Sequence, residues 1–420
     1  DETSAVPWGA YYHYLVTAST SFLNQYYTMI YEAGRASSED STIDTRLYYN
    51  DPVQLMYSNN LWEDSWDVFL YSNAAVERGL RDAAAIATVL GHSADAALFT
   101  GRANDIHSGM VARLAWDGEN TDVSMLGLAT PMAVFNVSDP LIAHVVDRMN
   151  GVAADRYGNN HPIVNFSGEW EGLINRYWGD TYWNGGPWTL ATLWYGNYYA
   201  ERQDANPGKG DIDNHRYRLD LVLDQFGPIG LGAEQIAPSS SLLYPDFRHQ
   251  AAWPNAWESM SFLVDAAMLF LDYTPDAPGN TLRIAPKLPT GWSTMTYANV
   301  AVGGHRIDVT CDEGANAWTH SFTNVTGGAL AYDTYVRIPA GTPNLVVTQN
   351  GVPVAHTHDA TTGRVHVAGD LATGAGATTL VRVALSLKGD MNCDGVVSFG
   401  DINPFVLAIS NPTLWQATYP

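Results

Sequence analysis

The sequence predicts a mainly α chain in three parts: a helical array over residues 1–275, a β-sandwich over 276–388 and a short third unit over 389–420. Three observations carry this. Helical periodicity broken by aromatic loops runs up to Thr274-Pro275. β-Branched runs separated by turn residues then replace it. An Asp/Asn-rich loop followed by an apolar stretch makes the final segment.

From Phe69, apolar or small residues recur at Val76, Leu80, Ala83, Ala87 and Leu90, which share one helical face. Gly91 follows as a residue able to end the helix in the left-handed conformation, and Ser93 as the N-cap of the next helix. Pro187 stands where a first helical turn tolerates its missing N–H, so it opens a helix over Trp188–Tyr199. From Trp257 to Tyr273 the chain is apolar or small except for Glu258, Asp265 and Asp272, which read as one solvated stripe on a helix. About eight helices precede Pro275 on this reading, joined by loops with room for function. Beyond it, Arg306–Thr310, Thr334–Ile338 and Leu345–Thr348 read as strands. Asn350-Gly351 between Val346-Val347 and Val352-Pro-Val354 signals a type I′ hairpin. Short strands at regular spacing make a β-sandwich.

Composition narrows the function. The net charge of −23 repels phosphate backbones and anionic membrane surfaces, so nucleic acid is excluded as a partner. No apolar run is long enough to span a bilayer, so membrane insertion is excluded too. Charged residues make up only 15% while aromatics reach 12%, a balance suited to a neutral, hydroxyl-rich ligand such as a sugar. The two cysteines, Cys311 and Cys393, fall in different predicted units and imply no disulfide framework. There is no His-Glu-x-x-His zinc signature and no Gly-x-Ser-x-Gly nucleophile elbow. The Gly-rich run Gly227–Gly232 follows no strand and reads as a loop that lets backbone approach a cleft. The sequons at Asn136, Asn165 and Asn324 matter only in a eukaryotic secretory route.

In the final unit Asp390, Asn392, Asp394 and Asp401 occupy positions 1, 3, 5 and 12 of a twelve-residue loop, with Gly395 at the sharp turn and the Val396 carbonyl at position 7. Hard oxygen donors at this spacing wrap one Ca²⁺. The segment resembles one repeat of a type I dockerin, a bacterial module that anchors secreted glycan-degrading enzymes to a cohesin. The resemblance implies an extracellular bacterial setting, secreted or at the cell surface, and a cohesin-like partner. Dockerins carry two such repeats, and one stands here.

Two acidic sites sit among aromatic rings. Glu63 lies in Asn60-Leu-Trp-Glu-Asp-Ser-Trp66, and Glu234 in Gly232-Ala-Glu-Gln-Ile236. A Glu desolvated by apolar rings keeps its proton until a leaving oxygen needs it, while a second carboxylate activates water. Inverting glycoside hydrolysis places such a pair roughly 6.5–9.5 Å apart, a distance that sequence spacing leaves open. Read alone, either Glu also fits a surface or capping position.

The order of motifs adds what spacing leaves open. Leu61-Trp-Glu-Asp64, then Arg176-Tyr-Trp-Gly-Asp-Thr-Tyr-Trp-Asn-Gly-Gly-Pro-Trp188, then Ala233-Glu-Gln235 with Asn255-Ala-Trp-Glu258 follow one another as in the glucoamylases. Residues 1 to 275 thus resemble glycoside hydrolase family 15, including the opening Asp1-Glu-Thr and Trp8. The resemblance implies an (α/α)6 barrel that hydrolyses α-glucosidic bonds of oligo- or polysaccharides with inversion, without a catalytic cofactor. It implies Glu63 as general acid and Glu234 as general base. Arg176 is the implied donor to sugar hydroxyls, Asp64 a sugar contact, and Trp62, Trp188 and Trp257 the pocket walls; Asp180 belongs to the same loop. The family's early Arg-Asp motif has no counterpart after Asp1, and about eight helices fall short of a full barrel. The barrel's first helices are therefore expected to be missing, in a fragment or in a degenerate barrel that binds glycan without cleaving it. Apolar faces left uncovered would then associate with another chain or with a missing N-terminal piece.

Overall fold

A computed structural model describes every residue except 1, 39–47, 51, 227–229, 231, 241–248, 252–254, 256–261, 387–388, 390–398 and 419–420. Contacts divide the chain into two compact units, Asp1–Arg202 with Asp213–Ala267, and Gln203–Ile212 with Met268–Pro420.

The first unit is helical. It holds α1 (Glu2–Thr17), α2 (Thr20–Ser38), α3 (Leu70–Leu90), α4 (Ser93–Trp116), α5 (Pro140–Met149), α6 (Thr189–Arg202), most of α7 (Gly210–Leu223) and α8 (Leu263–Met268). Short strands β1 (Tyr48–Asn50), β2 (Leu55–Asn59) and β3 (Trp66–Asp67) form one small antiparallel sheet, and β4 (Gln235–Ile236) pairs with β5 (His249–Ala251). The core centres on α3, which packs against α1, α2 and α4. Its predicted apolar face is buried from Val76 to Ala87, and so are Asn73, Glu77 and Asp82, because helices pack on more than one side of it. Gly79 makes this possible: a Cβ there would sit 2.6 Å from the Ser4 carbonyl oxygen of α1. Asn73 ties α3 to β2, accepting from the Met56 N–H at 2.7 Å and donating to the Met56 carbonyl at 3.1 Å.

The helix ends partly follow expectation. Gly91 closes α3 with φ +83°. Ser93, however, is the first residue of α4, and His92 stands at the cap position without a side-chain hydrogen bond. Pro187 does not start α6, which begins at Thr189: the Pro187 carbonyl and the Trp188 N–H are bonded instead to Ile236 and Ile174. The helix expected to run to Tyr273 ends at Met268, and Tyr273 lies in a strand. Its solvated stripe holds at Asp265, which is exposed, but not at Asp272. Asp272 turns back at φ +49° onto the buried Lys287, and Asp265 accepts from Asn197. Glu258 and Trp257 lie outside the described residues.

The second unit is built on β-structure. One sheet runs β13-β12-β16-β10-β9-β8 and the other β14-β15-β11-β7-β6. The ranges are β6 (Tyr273–Thr274), β7 (Thr281–Ile284), β8 (Thr294–Val302), β9 (His305–Glu313), β10 (Ala317–Asn324), β11 (Ala331–Arg337), β12 (Leu345–Gln349), β13 (Val352–Pro353), β14 (His356–Asp359), β15 (Arg364–Asp370) and β16 (Ala377–Leu385). Alternate residues of β10 are buried, the pattern of a strand with one face inward. Side chains of the two sheets meet there: Phe322 stacks on Tyr332, and His320 bonds Thr334. The Asn350-Gly351 hairpin forms as predicted, with φ of +51° and +80°. Cys311 is a free thiol that burial pushes well above its usual range; Cys393 lies outside the described residues. The unit ends in α9 (Ile402–Ser410) and α10 (Pro412–Thr418). No helix among the described residues is long and apolar enough to cross a membrane.

Candidate functional site

Three sequence segments far apart in the chain meet in the helical unit. The first is the tip between β2 and β3. There Asn60 N–H donates to the Ser65 carbonyl, Glu63 N–H donates to the Asn60 carbonyl, and Glu63 itself takes φ +60°. A left-handed non-glycine residue costs about 1 kcal/mol or more and is held only by surrounding contacts. The second segment is residues 174–188. It runs beside 121–123 through Val123 N–H to the Arg176 carbonyl at 2.7 Å and Trp178 N–H to the Thr121 carbonyl at 3.0 Å. The third is Ala233–Ile236, bridged backbone to backbone with Trp188 at Gln235. Gly186 permits this approach, since a Cβ there would lie 3.1 Å from the Ile236 carbonyl.

Arg176 is the meeting point. Its side chain is buried, and Asp180 grips it with two bonds, Nε at 2.7 Å and Nη2 at 2.9 Å. Four rings surround the guanidinium, Tyr177 and Trp188 at 4.7 Å, Tyr182 at 5.0 Å and Trp62 at 5.4 Å from their centroids. Burial acts to lower its pKa, and Asp180 more than compensates, so the group is held charged. Among the described residues no hydrogen bond uses Nη1. Nη2 also donates to the Tyr177 hydroxyl at 3.3 Å, and that hydroxyl donates to Asp64 at 3.1 Å. Asp64 is thereby oriented from two sides, with Asn60 Nδ2 donating to it at 2.6 Å.

The carboxylates differ in setting. Glu63 is exposed on its strained tip. Glu234 is half-buried, and burial raises its pKa above the usual carboxylate range, while a hydrogen bond from Tyr182 and the charge of Arg176 act the other way. Two further carboxylates lie behind the rings. Asp122 accepts from Trp62 Nε1 at 2.7 Å and from the Ser124 N–H at 2.7 Å, yet burial still raises it to about 6. Glu119 is raised by burial to about 7 although Arg113 lies 3.0 Å away. A site with this electrostatic layout can hold a neutral ligand between a fixed cation and several carboxylates of unequal acidity.

The structure thus brings Trp62, Asp64, Arg176, Trp188 and Glu234 together. Trp62 and Trp188 stand 5.7 Å apart, and Trp188 also touches Tyr182. Trp188 is only 3% exposed, so it backs the guanidinium, whereas Trp62 is partly open. Asp180, a loop residue without an assigned role in the sequence, is the partner that clamps Arg176. Asp122, Tyr177 and Tyr182 escaped the sequence reading. The only local trace of Asp122 is an Asp-Val-Ser cap, common on any surface. Exposed rings in the same segments, Trp66, Trp178 and Trp183, account for much of the aromatic density there. Trp257 lies outside the described residues, as do Asp390, Asn392, Asp394 and Val396. Asp401 is described, buried at the start of α9. Among the described residues no group of three or more His, Cys, Asp or Glu is placed to hold a metal.

Comparisons with known proteins bear on both units. The model of the glycosyl hydrolase family 65 C-terminal domain matches residues 276–316. An uncharacterized glycosyl hydrolase of Methanocaldococcus jannaschii is 22% identical over 285 residues, 63% of this chain and 41% of that protein. The α-L-rhamnosidase from Dictyoglumus thermophilum superposes with a TM-score of 0.52 and 11% identity, over 89% of this chain and 38% of that one. The Streptomyces avermitilis α-L-rhamnosidase complexed with L-rhamnose gives 0.50 and 13%, over 90% and 32%. The chain therefore spans about two fifths or less of the length of these proteins. The likeness establishes the fold: a helical part followed by a β-domain, as in these two structures.

Proposed function

We propose that this chain carries the catalytic residues of a secreted inverting exo-glycosidase of the glucoamylase type, acting on α-glucosidic bonds of an oligo- or polysaccharide within an (α/α)6-type barrel. The observation that supports this best is the convergence of three ordered motifs on Arg176, with Trp62 and Asp64 on one side and Glu234, through Tyr182, on the other. Glu63 gives its proton to the glycosidic oxygen as that bond to the anomeric carbon breaks. Water attacks the same carbon from the opposite face and passes a proton to Glu234, so the product anomer is inverted. A base is most effective when its pKa lies near the working pH, and burial moves Glu234 in that direction. The free edge of Arg176 and the oriented Asp64 bind hydroxyls; Trp62, with Trp257, offers faces to the ring.

Substituting Glu63→Gln or Glu234→Gln in the full chain, or in a longer form that includes it, is expected to cut hydrolysis of maltooligosaccharide or isomaltooligosaccharide by roughly 10²–10⁴-fold. NMR of the wild-type product should show β-glucose first. Undiminished activity in either variant, or an α-product, overturns the assignment. Because the superposed structures are rhamnosidases, the same assay includes an aryl α-L-rhamnoside, and turnover of that substrate alone would move the specificity. Glycan binding without any turnover is the outcome expected of a non-catalytic, glycan-binding barrel.

The final segment is proposed to hold one structural Ca²⁺ through Asp390, Asn392, Asp394, the Val396 carbonyl and Asp401.

A further inference from the structure

The β-domain unit contains a polar cavity of about 280 Å³ that shares no residue with the Arg176 site. Asp204, Asp272, Arg283, Asp333, Tyr335 and Arg364 line it, brought together from five separate chain segments. Asp204 accepts from Arg337 Nη2 at 2.8 Å and lies 3.5 Å from both Lys287 and Arg364. Lys287 meets Asp272 at 2.8 Å, and Arg283 spans Asp276 and Asp333 at 2.8 Å each. Lys287 and Arg337 are 1% and 8% exposed, so part of this network is removed from water.

Stability gives no adequate reason for such a wall. Buried ion pairs are close to break-even against apolar packing, because desolvation consumes most of the Coulomb gain. One donor is also left over: Arg364 Nε is buried and has no hydrogen-bond partner among the described residues. An unmet buried donor costs about 1–3 kcal/mol, so this arginine adds little to stability. The four carboxylates, Asp204, Asp272, Asp276 and Asp333, are matched by the four cations Lys287, Arg283, Arg337 and Arg364. A charged guest would upset that balance. A hydroxyl, which donates and accepts at once, can bridge a carboxylate and a guanidinium without disturbing it. Ile284, Ala285 and the Tyr335 ring supply apolar surface, and Arg364 at 4.1 Å and His366 at 4.8 Å hold that ring in place.

We propose that this cavity binds a single pyranose unit of a neutral glycan, a carbohydrate site separate from the hydrolytic one. It uses none of the residues of the hydrolytic reading and stands whether or not that reading does. The test is titration of methyl α-D-glucopyranoside by calorimetry and saturation-transfer NMR. The proteins are the full chain and an Arg176→Lys variant in which the first site is impaired. One class of binding should persist in Arg176→Lys. Adding Arg364→Lys, which keeps the charge and loses the fork, should weaken it about tenfold or more. Ala285→Phe, which fills the cavity and leaves every ion pair intact, should do the same and covers the case in which Arg364→Lys fails to fold. In the otherwise wild-type chain neither change should alter the rate of glycoside hydrolysis. Sugar binding that vanishes with Arg176→Lys, or that ignores both cavity variants, overturns the proposal. So does binding of inorganic phosphate at these residues in place of the sugar.

Discussion

Arg176 shows at the scale of one residue how position gives a side chain its task. Asp180 takes two of its donors and four rings enclose it, so the remaining edge is presented at a fixed angle. Fixing the geometry before a ligand arrives removes an ordering cost that a flexible lysine would incur on binding. Tyr182 is the neighbour with the most direct effect on acid–base behaviour. Its hydroxyl bonds Glu234 and opposes the rise that burial imposes. Tyr182→Phe removes that bond, so the Glu234 pKa climbs further. In the proposed reaction Glu234 acts as base when deprotonated, so the rate rises with pH through this pKa, and the acidic limb of the kcat/KM profile should move to higher pH. An unmoved limb, or one shifted to lower pH, would separate Tyr182 from the base. Arg176, Trp62 and Glu234 were legible from the order of motifs. Tyr182 was not, since its role depends on a carboxylate fifty-two positions away in the chain.

Among the elements, α3 decides how tightly the helical unit closes. Its predicted apolar stripe is present, and polar residues beyond that stripe, Ser72, Asn73, Glu77 and Asp82, are buried as well. At Gly79 the backbone of α1 comes so near that any Cβ collides with Ser4. Gly79→Ala gains helix propensity yet forces α1 outward, so a net loss of about 1–3 kcal/mol is expected. Chemical denaturation measures it, and unchanged stability would mean that α1 packs elsewhere. Local signals served well where they were backbone effects: Gly91 ends α3, and Asn350-Gly351 turns the hairpin. They failed where tertiary bonds compete. Trp188 looked like a helix start, but its N–H serves Ile174 across the site; Asp272 looked solvated, but Lys287 draws it inward.

For the molecule as a whole, the contact division gives the β-domain unit a piece of chain that the sequence assigned to the helical array. Gln203–Ile212 lies between α6 and the body of α7, and its Asp204 sits among Lys287, Arg337 and Arg364 of the second unit. No periodicity announces such an excursion, because it is stabilised by charges more than eighty residues away. The calcium segment belongs to this scale also. Calorimetric titration of the chelator-treated chain should show one Ca²⁺ bound, and Asp390→Ala should abolish it by removing the first loop donor. Binding that survives Asp390→Ala would place the ion elsewhere. A gain in thermal stability on adding Ca²⁺ would follow by mass action from binding to the folded form alone.

By itself the amino-acid sequence determined the succession of helical and β parts, the local turns and the order of the motifs, because these depend on backbone preference and on neighbours a few positions apart. Only the tertiary structure decided that Asp180 holds Arg176, that Asp122 holds Trp62, and that burial makes Glu119 and Asp122 weaker acids. Those facts depend on which groups lose water together, and desolvation is settled by neighbours in space that sequence separation does not reveal.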